Sequence, residues 1–214
     1  MTILITGANR GIGAALATTL TERGHDVIGT ARSTPEYEPL DVTDPASQAD
    51  LAHRLEGKPL DALICNAGVY LDKGQNLAGG YPVDMWQDSF AVNVTGVFLT
   101  IQSLMPNLQM HEGGKIMIIS SQMASHERAP GGSYIYRASK AAALNLGRNL
   151  ATDLKQIGVA VGIYHPGWVQ TDMGGESAEI TPVQAAEGLA DRLEALSLDT
   201  TGCFETWDGR AHPY

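Results

Sequence analysis

The sequence predicts an α/β protein of one domain, a doubly wound parallel sheet with helices on both faces. Three observations predict it. Short apolar runs alternate along the whole chain with longer stretches in which apolar residues recur at helical spacing. The first run, Ile3-Leu4-Ile5, passes straight into a glycine-rich turn, Thr6-Gly7-Ala8-Asn9-Arg10-Gly11-Ile12-Gly13, and from there into a helical pattern carried by Ile12, Leu16 and Leu20. Finally, 214 residues with 43% hydrophobic content suit one sizeable core, and no linker, repeat or low-complexity run divides them.

The elements follow in order. Strands are expected near 2–6, 26–31, 37–41, 61–65, 114–120 and 159–165, with a short last one near 202–206. Their near-continuous apolar character is that of parallel strands covered on both faces. Helices are expected near 12–23, 45–56, 84–108, 136–157 and 182–196. The Gly/Pro clusters at 79–82 and 130–132 read as loops. One connection departs from the pattern. Only Arg32 to Tyr37 separate the second and third strands, with Pro35 and Pro39 nearby, whereas a parallel crossover needs about a dozen residues. A bare loop in place of a helix is expected there, leaving one sheet edge less covered; the alternative is a third strand placed elsewhere.

Composition narrows the function. A formal charge of −10 argues against a nucleic-acid partner, so a phosphate ligand would have to meet local positive charge. No uninterrupted apolar run approaches ~18 residues and the first strand begins at residue 2, so no membrane span and no leader is expected, and cytoplasm is the default. Cys65 and Cys203 give neither zinc spacing nor a disulfide framework, and Cys65, within a core strand, reads as inert. The six histidines show no paired ligand spacing, so no metal is expected.

Two local patterns carry chemistry. A strand, a glycine-rich turn and a helix start in succession let backbone N–H groups approach a phosphate at the positive end of the helix. Farther along, Tyr136 and Lys140 stand four residues apart in a helical stretch, on one face and one turn apart. A phenol with a pKa near ~10 is a poor acid–base group at neutral pH, and a neighbouring ammonium would lower it. The apolar strand at 114–120 leads directly to Ser120-Ser121, a hydroxyl at a strand's carboxyl end. Ser125 and Ser133 are its rivals, and Tyr134 is a decoy because its fourth neighbour is Ala138.

Together with Asp41-Val42, Asn66-Ala67-Gly68, Val92-Asn93-Val94 and Pro166-Gly167-Trp168-Val169-Gln170-Thr171, these motifs resemble the short-chain dehydrogenase/reductase family, in the family's order and from end to end. The Tyr-Arg-Ala-Ser-Lys variant and the ending Gly202-Cys203-Phe204 with Asp208-Gly209 look like its small C-signal-like branch. The resemblance implies a Rossmann fold and catalysis by Asn93, Ser121, Tyr136 and Lys140. Tyr136 would be the proton donor, Ser121 would hold the carbonyl oxygen, and Asn93 would help a water relay protons to Lys140. Ser121 lies fifteen residues before Tyr136 where many relatives have thirteen, which two extra residues near Gly131-Gly132 would explain.

The resemblance also implies a nicotinamide cofactor contacted by Gly7, Asn9, Arg10, Gly11, Ile12, Gly13, Arg32, Asp41, Val42, Asn66, Ala67, Gly68, Pro166, Gly167, Val169 and Thr171, besides Tyr136 and Lys140. NAD-preferring relatives carry an acid at the end of the second strand, but here Thr30-Ala31-Arg32 stands there and Arg10 lies in the glycine turn. Two guanidiniums suit a 2′-phosphate, which favours NADP(H) over NAD(H). Asp41 is expected at the adenine, or else as a cap of the helix beginning near Pro45. The partner would be a small carbonyl or alcohol, with Tyr70, Met123, Trp168 and Met173 as candidate pocket lining and residues 172–180 as a short lid. A different class stays open: an NADP(H)-binding signalling or sensor protein with little turnover. The long helices at 84–108 and 136–157 would pair a homodimer or homotetramer, with a monomer the alternative.

Overall fold

The structure is a computed structural model that describes residues 1–214. Seven strands form one wholly parallel sheet: β1 (Thr2–Thr6), β2 (Asp26–Ala31), β3 (Glu38–Pro39), β4 (Ala62–Cys65), β5 (Lys115–Ile119), β6 (Ala160–His165) and β7 (Phe204–Thr206). Their spatial order is β3-β2-β1-β4-β5-β6-β7, so the chain reverses direction across the sheet between β1 and β4, and a crevice opens at their carboxyl ends. Six α-helices cover the sheet: α1 (Gly11–Glu22), α2 (Pro45–Arg54), α3 (Val83–Phe90), α4 (Gly96–Leu108), α5 (Tyr134–Lys155) and α6 (Pro182–Ala195). The expected elements are all present, with ends displaced by a few residues and the third strand shortened to two.

Strand alternation divides the core in two. Leu4, Leu63, Ile116, Ile118, Val161 and Ile163 face α2, α4 and α5, whereas Ile3, Ile5, Ile64, Met117 and Tyr164 face α1 and α6. Both sets are buried, which explains why the strands read as unbroken apolar runs rather than alternating ones. The helix expected over 84–108 is interrupted by a π-helical turn, Ala91–Thr95, with Asn93 buried inside it. Taken whole, Val83–Leu108 is long and apolar enough by composition to cross a membrane, although no uninterrupted apolar run within it is that long. Its Val97, Ile101, Leu104 and Leu108 are packed in the core against the sheet.

The short connection between β2 and β3 is confirmed as a loop. Thr30 pairs with Glu38 and Ala31 with Pro39, so the chain returns to the sheet within Arg32–Tyr37. A single side chain does part of the missing helix's covering. Tyr37 packs against the core on the α1 side, and a Cβ on Gly29 would lie 2.7 Å from the Tyr37 ring and 2.8 Å from Ala8. Glycine at 29 is what lets the ring approach the strand. Tyr37→Ala is therefore expected to destabilise the fold by roughly 2 kcal/mol, a reduced figure for a half-buried aromatic, read as a lower midpoint in urea. An unchanged midpoint would mean that Tyr37 merely decorates the edge.

Candidate active site at the carboxyl edge of the sheet

The glycine turn lies across the carboxyl ends of β1 and β4. Gly7 adopts φ +66° with its Cα face against Ala67, and a Cβ on Gly13 would fall 2.2 Å from the Gly7 carbonyl oxygen and 2.5 Å from Asn66 Nδ2. No side chain larger than hydrogen fits at 13. Asn66 ties the two strands by donating from Nδ2 to the carbonyls of Thr6 (2.9 Å) and Gly7 (3.1 Å), while Thr6 Oγ1 accepts from the N–H groups of Asn66 and Ala67 (3.0 Å each). The first turn of α1 starts at extended Arg10 with no side-chain cap and no acidic residue. Its amide groups point out of the turn without a protein side chain to accept them, which is the arrangement an anion fits.

Around this turn the structure gathers several of the residues expected to contact a cofactor. Gly68 sits beside Asn93 Oδ1 and Lys140 Nζ, and Val42 backs onto Gly96 of α4. Thr171 lies against Gly11, 3.4 Å from the position its Cβ would take, and the buried Val169 pairs with Ile180 in an isolated bridge. The chain turns at Pro166 and Gly167 after β6, with Gly167 at φ +90°. Asn9 donates to Thr34 Oγ1 at 3.3 Å, and Arg32 is exposed. Arg10 pairs with Asp172 at 3.2 Å, both largely exposed. Asp41 accepts from the Thr43 N–H and hydroxyl, and these bonds, with lesser help from the Arg32 guanidinium, hold its carboxyl below the usual carboxylate range. The cap of α2 is a different residue, Asp44, which accepts from Ala46 N–H at 2.9 Å.

Four residues expected to act together are brought together. Tyr136, Lys140 and Ser121 are 8, 5 and 8% exposed, and Asn93 1%. Tyr136 and Lys140 face inward from α5, with Nζ 5.8 Å from the phenol ring centre. Lys140 Nζ donates to the Ile119 carbonyl at 2.9 Å. Ser121 accepts from Met123 N–H at 3.1 Å, and its own hydroxyl hydrogen is available to the phenol it faces. The rival serines are engaged elsewhere: Ser125 with the Tyr214 carbonyl, Ser133 with the Tyr70 hydroxyl. Tyr134 is exposed and edge-on to Tyr81.

One expectation changes, and another gains a structural side. The spacing of Tyr136 and Lys140 suggested a lowered phenol pKa, but burial pushes Tyr136 up to about 12, with Ser121 offsetting part of the shift and Tyr70 and Asp72 adding to it. Burial likewise brings Lys140 down to about 8. Desolvation outweighs the ammonium because both groups lie out of water and Nζ is turned toward a carbonyl. Asn93, expected to serve a water relay, has both amide hydrogens and one lone pair of Oδ1 engaged by the protein. Oδ1 accepts from Val69 N–H (2.9 Å), while Nδ2 donates to the Val69 carbonyl (2.9 Å) and Ser139 Oγ (3.0 Å). Its amide pins the loop after β4 to α5. Cys65 is buried and pushed up to about 12, an inert thiol as expected.

Sequence reasoning missed Asp72 and undervalued Tyr70. The Tyr70 ring stacks on Tyr136 with centroids 4.2 Å apart and planes 20° apart. Asp72 is fully buried, and its carboxylate accepts from the N–H groups of Ile135 and Tyr136. Neither contact has a local signal, because each spans more than sixty residues. Of the candidate lining, Trp168 and Met173 are 44 and 38% exposed, and the lid is tied down by Trp168 Nε1 to the Gly174 carbonyl and by Lys73 Nζ to the Met173 carbonyl, both 2.9 Å.

The model of the short-chain dehydrogenase family matches residues 1–181, and the chain belongs to that family. It is 38% identical to a 1-hydroxy-2-glutathionyl-2-methyl-3-butene dehydrogenase from Rhodococcus sp. (strain AD45), over 97% of each chain. It is 33% identical to the C-signal protein of Myxococcus xanthus, over 73% of this chain and 93% of that one. Among solved structures, the NADPH-bound carbonyl reductase from chicken fatty liver superposes with a TM-score of 0.90 at 28% identity, covering 100% of this chain and 98% of that one. The protein is thus an oxidoreductase of the short-chain dehydrogenase type.

The buried lysine makes a testable cost. Its pKa in the folded protein, about 8, lies below that of an unfolded lysine, so the folded state binds fewer protons between about pH 8 and 10.5 and stability rises through that window. Below it, the protein holds a desolvated ammonium. Lys140→Met is expected to stabilise the fold near pH 7 by roughly 1–3 kcal/mol, with the gain shrinking above pH 8, as measured by urea unfolding across pH. A destabilised Lys140→Met at pH 7 would show that the Ile119 contact outweighs burial.

Proposed function

We propose that this protein is an NADP(H)-dependent oxidoreductase that interconverts a small carbonyl compound and its alcohol. The observation that carries the reading is the buried grouping of Tyr136, Ser121 and Lys140 at the same sheet edge as the uncapped glycine turn. The residues fit a dinucleotide. The turn at Gly7, Gly11 and Gly13, with Asn9, Ile12 and the first amides of α1, would take the diphosphate, and Asp41, Val42, Asn66, Ala67 and Gly68 would border the adenosine. Pro166, Gly167, Val169 and Thr171 would border the nicotinamide, whose ring, when bound, supplies or accepts the hydride.

The chain's own groups handle the proton and the developing charge. In reduction Tyr136 gives its proton to the carbonyl oxygen, and a phenol held up near 12 is fully protonated at neutral pH. The Ser121 hydroxyl donates to that same oxygen, where negative charge grows in the transition state. Lys140 returns a proton toward the phenol and orients the ribose. Proton traffic past Asn93 would use its main chain or the remaining lone pair of Oδ1, because the rest of its side-chain amide is occupied. Tyr70, stacked on one face of Tyr136, confines substrate to the other.

NADP(H) is preferred on charge. The end of β2 carries no acid; Arg32 follows it and is exposed, and Arg10 is exposed in the glycine turn. The exposed Arg10–Asp172 pair is worth ~0–1 kcal/mol, so a 2′-phosphate can displace Asp172 at little cost. The NADPH bound to the chicken carbonyl reductase supports this choice. The likeness to C-signal keeps a signalling role as the second reading, with cofactor binding and no turnover.

Calorimetric titration is expected to show NADPH binding at least tenfold tighter than NADH, a difference of about 1.4 kcal/mol or more. Tighter NADH would remove the arginines from the pocket, and binding of neither would remove the oxidoreductase reading. In a screen of aldehydes and ketones, Tyr136→Phe should keep the NADPH affinity and lose roughly 10²–10⁴-fold in turnover. Unchanged turnover would dismiss Tyr136 as the acid.

A further inference from the structure

Asp72 is the one carboxylate of the protein with no exposure, and it forms no ion pair. An isolated buried charge is costly unless hydrogen bonds replace its water. Here the replacement comes from the start of α5. Oδ2 accepts from Ile135 N–H at 2.9 Å and Oδ1 from Tyr136 N–H at 3.2 Å. These are the second and third amides of a 22-residue helix, at its positive end. The helix cannot cap itself there. Ser133, the residue before it, is left-handed at φ +48°, makes no cap bond, and has its hydroxyl taken by Tyr70. The carboxylate that completes the helix thus comes from the loop after β4, and one of the two amides it holds belongs to Tyr136 itself.

We propose that Asp72 is a positioning residue for Tyr136, fixing the first turn of α5 so that the phenol meets Ser121 and laying a fixed negative charge beside it. This rests on reading Tyr136 as the acid–base group. The loop after β4 contributes three linked contacts to one helical turn: the Asp72 carboxylate on the backbone, the Tyr70 ring on the phenol face, and the Tyr70 hydroxyl on Ser133. A backbone held by two charge-assisted bonds has little freedom to let the phenol drift. The groups facing the phenol are few. Tyr70 and Asp72 approach from that loop, Ser121 from the end of β5, and Lys140 from α5 itself. Of the charged pair, Lys140 donates to the Ile119 carbonyl, and the Asp72 charge opposes phenolate as a contribution smaller than burial.

Two variants separate the charge from the contact. Asp72→Asn keeps the shape and one acceptor oxygen, and Asp72→Ala removes both. The first measurement is a titration of 13Cζ-tyrosine-labelled protein by NMR between pH 8 and 11 without nucleotide, with Tyr136→Phe identifying the signal. Asp72→Asn is expected to begin ionising Tyr136 at a pH lower by about half a unit or more. An unchanged onset in a folded Asp72→Asn overturns the proposal. The second measurement is the pH profile of 1-phenylethanol oxidation with NADP⁺. Asp72→Asn should move the rising limb to lower pH and reduce kcat roughly tenfold while KM stays within about twofold. A limb that stays in place, or a loss confined to KM, contradicts it. If Asp72→Ala does not fold, Asp72→Asn alone decides. If the unaltered protein turns over no alcohol or carbonyl, the oxidoreductase reading fails, and the NMR titration still judges Asp72.

Discussion

The first turn of α5 needs hydrogen-bond partners that its own neighbourhood does not supply, and the arrangement of the site follows from how they are found. Four amide groups at any helix start lack an internal acceptor. With Ser133 left-handed and turned away, Asp72 reaches in from the loop after β4. That loop is in turn fixed by Asn93, whose amide brackets both backbone groups of Val69 and touches Ser139 on α5. The π-helical turn before α4 is what places Asn93 there. Three elements distant in sequence, the loop after β4, the α3–α4 junction and α5, therefore close on one another through buried polar contacts. Such networks rigidify when fully satisfied.

Packing brings the same helix close to the sheet. A Cβ on Gly147 would lie 2.6 Å from Ile163 Cγ1, so glycine there lets α5 settle onto β6. Two turns earlier, Lys140 then reaches the Ile119 carbonyl, and its own carbonyl accepts from Ser120 Oγ at 3.2 Å. The opposite end of the molecule solves a matching problem. Lys115 at the start of β5 donates to the carbonyls of Leu193 and Glu194, closing the C-terminus of α6. An anion completes one buried helix start and a cation completes one helix end, each in the sense the helix dipole favours. Only the first stands beside chemistry.

Much of this was legible in the chain because its causes are local. The glycine turn shows itself by spacing, since no Cβ is tolerated at Gly13. Tyr136 and Lys140 show themselves by helical period, and Ser121 by following a strand directly. The missing helix between β2 and β3 could be counted from six residues, although the Tyr37 ring that covers the gap could not. What stayed hidden depends on contacts across the fold. Asp72 looks like any loop aspartate until α5 is laid over it. Asn93 was recognisable as a motif, but only the tertiary pairing shows that its amide also ties the loop after β4 to α5. The direction of the Tyr136 pKa was misjudged for the same reason. Proximity to a lysine can be read from spacing, but burial cannot.

The central physical claim is that the turn carrying Tyr136 is locked before any ligand binds, and native-state hydrogen exchange of the Ile135 and Tyr136 amides tests it most directly. Helix starts ordinarily fray and exchange quickly. Here both amides, in protein without nucleotide, are expected to be protected to nearly the extent of the β5 and β6 core. Rapid exchange, slowed only when NADPH is added, would contradict it and mean that the cofactor, rather than the fold, builds the site.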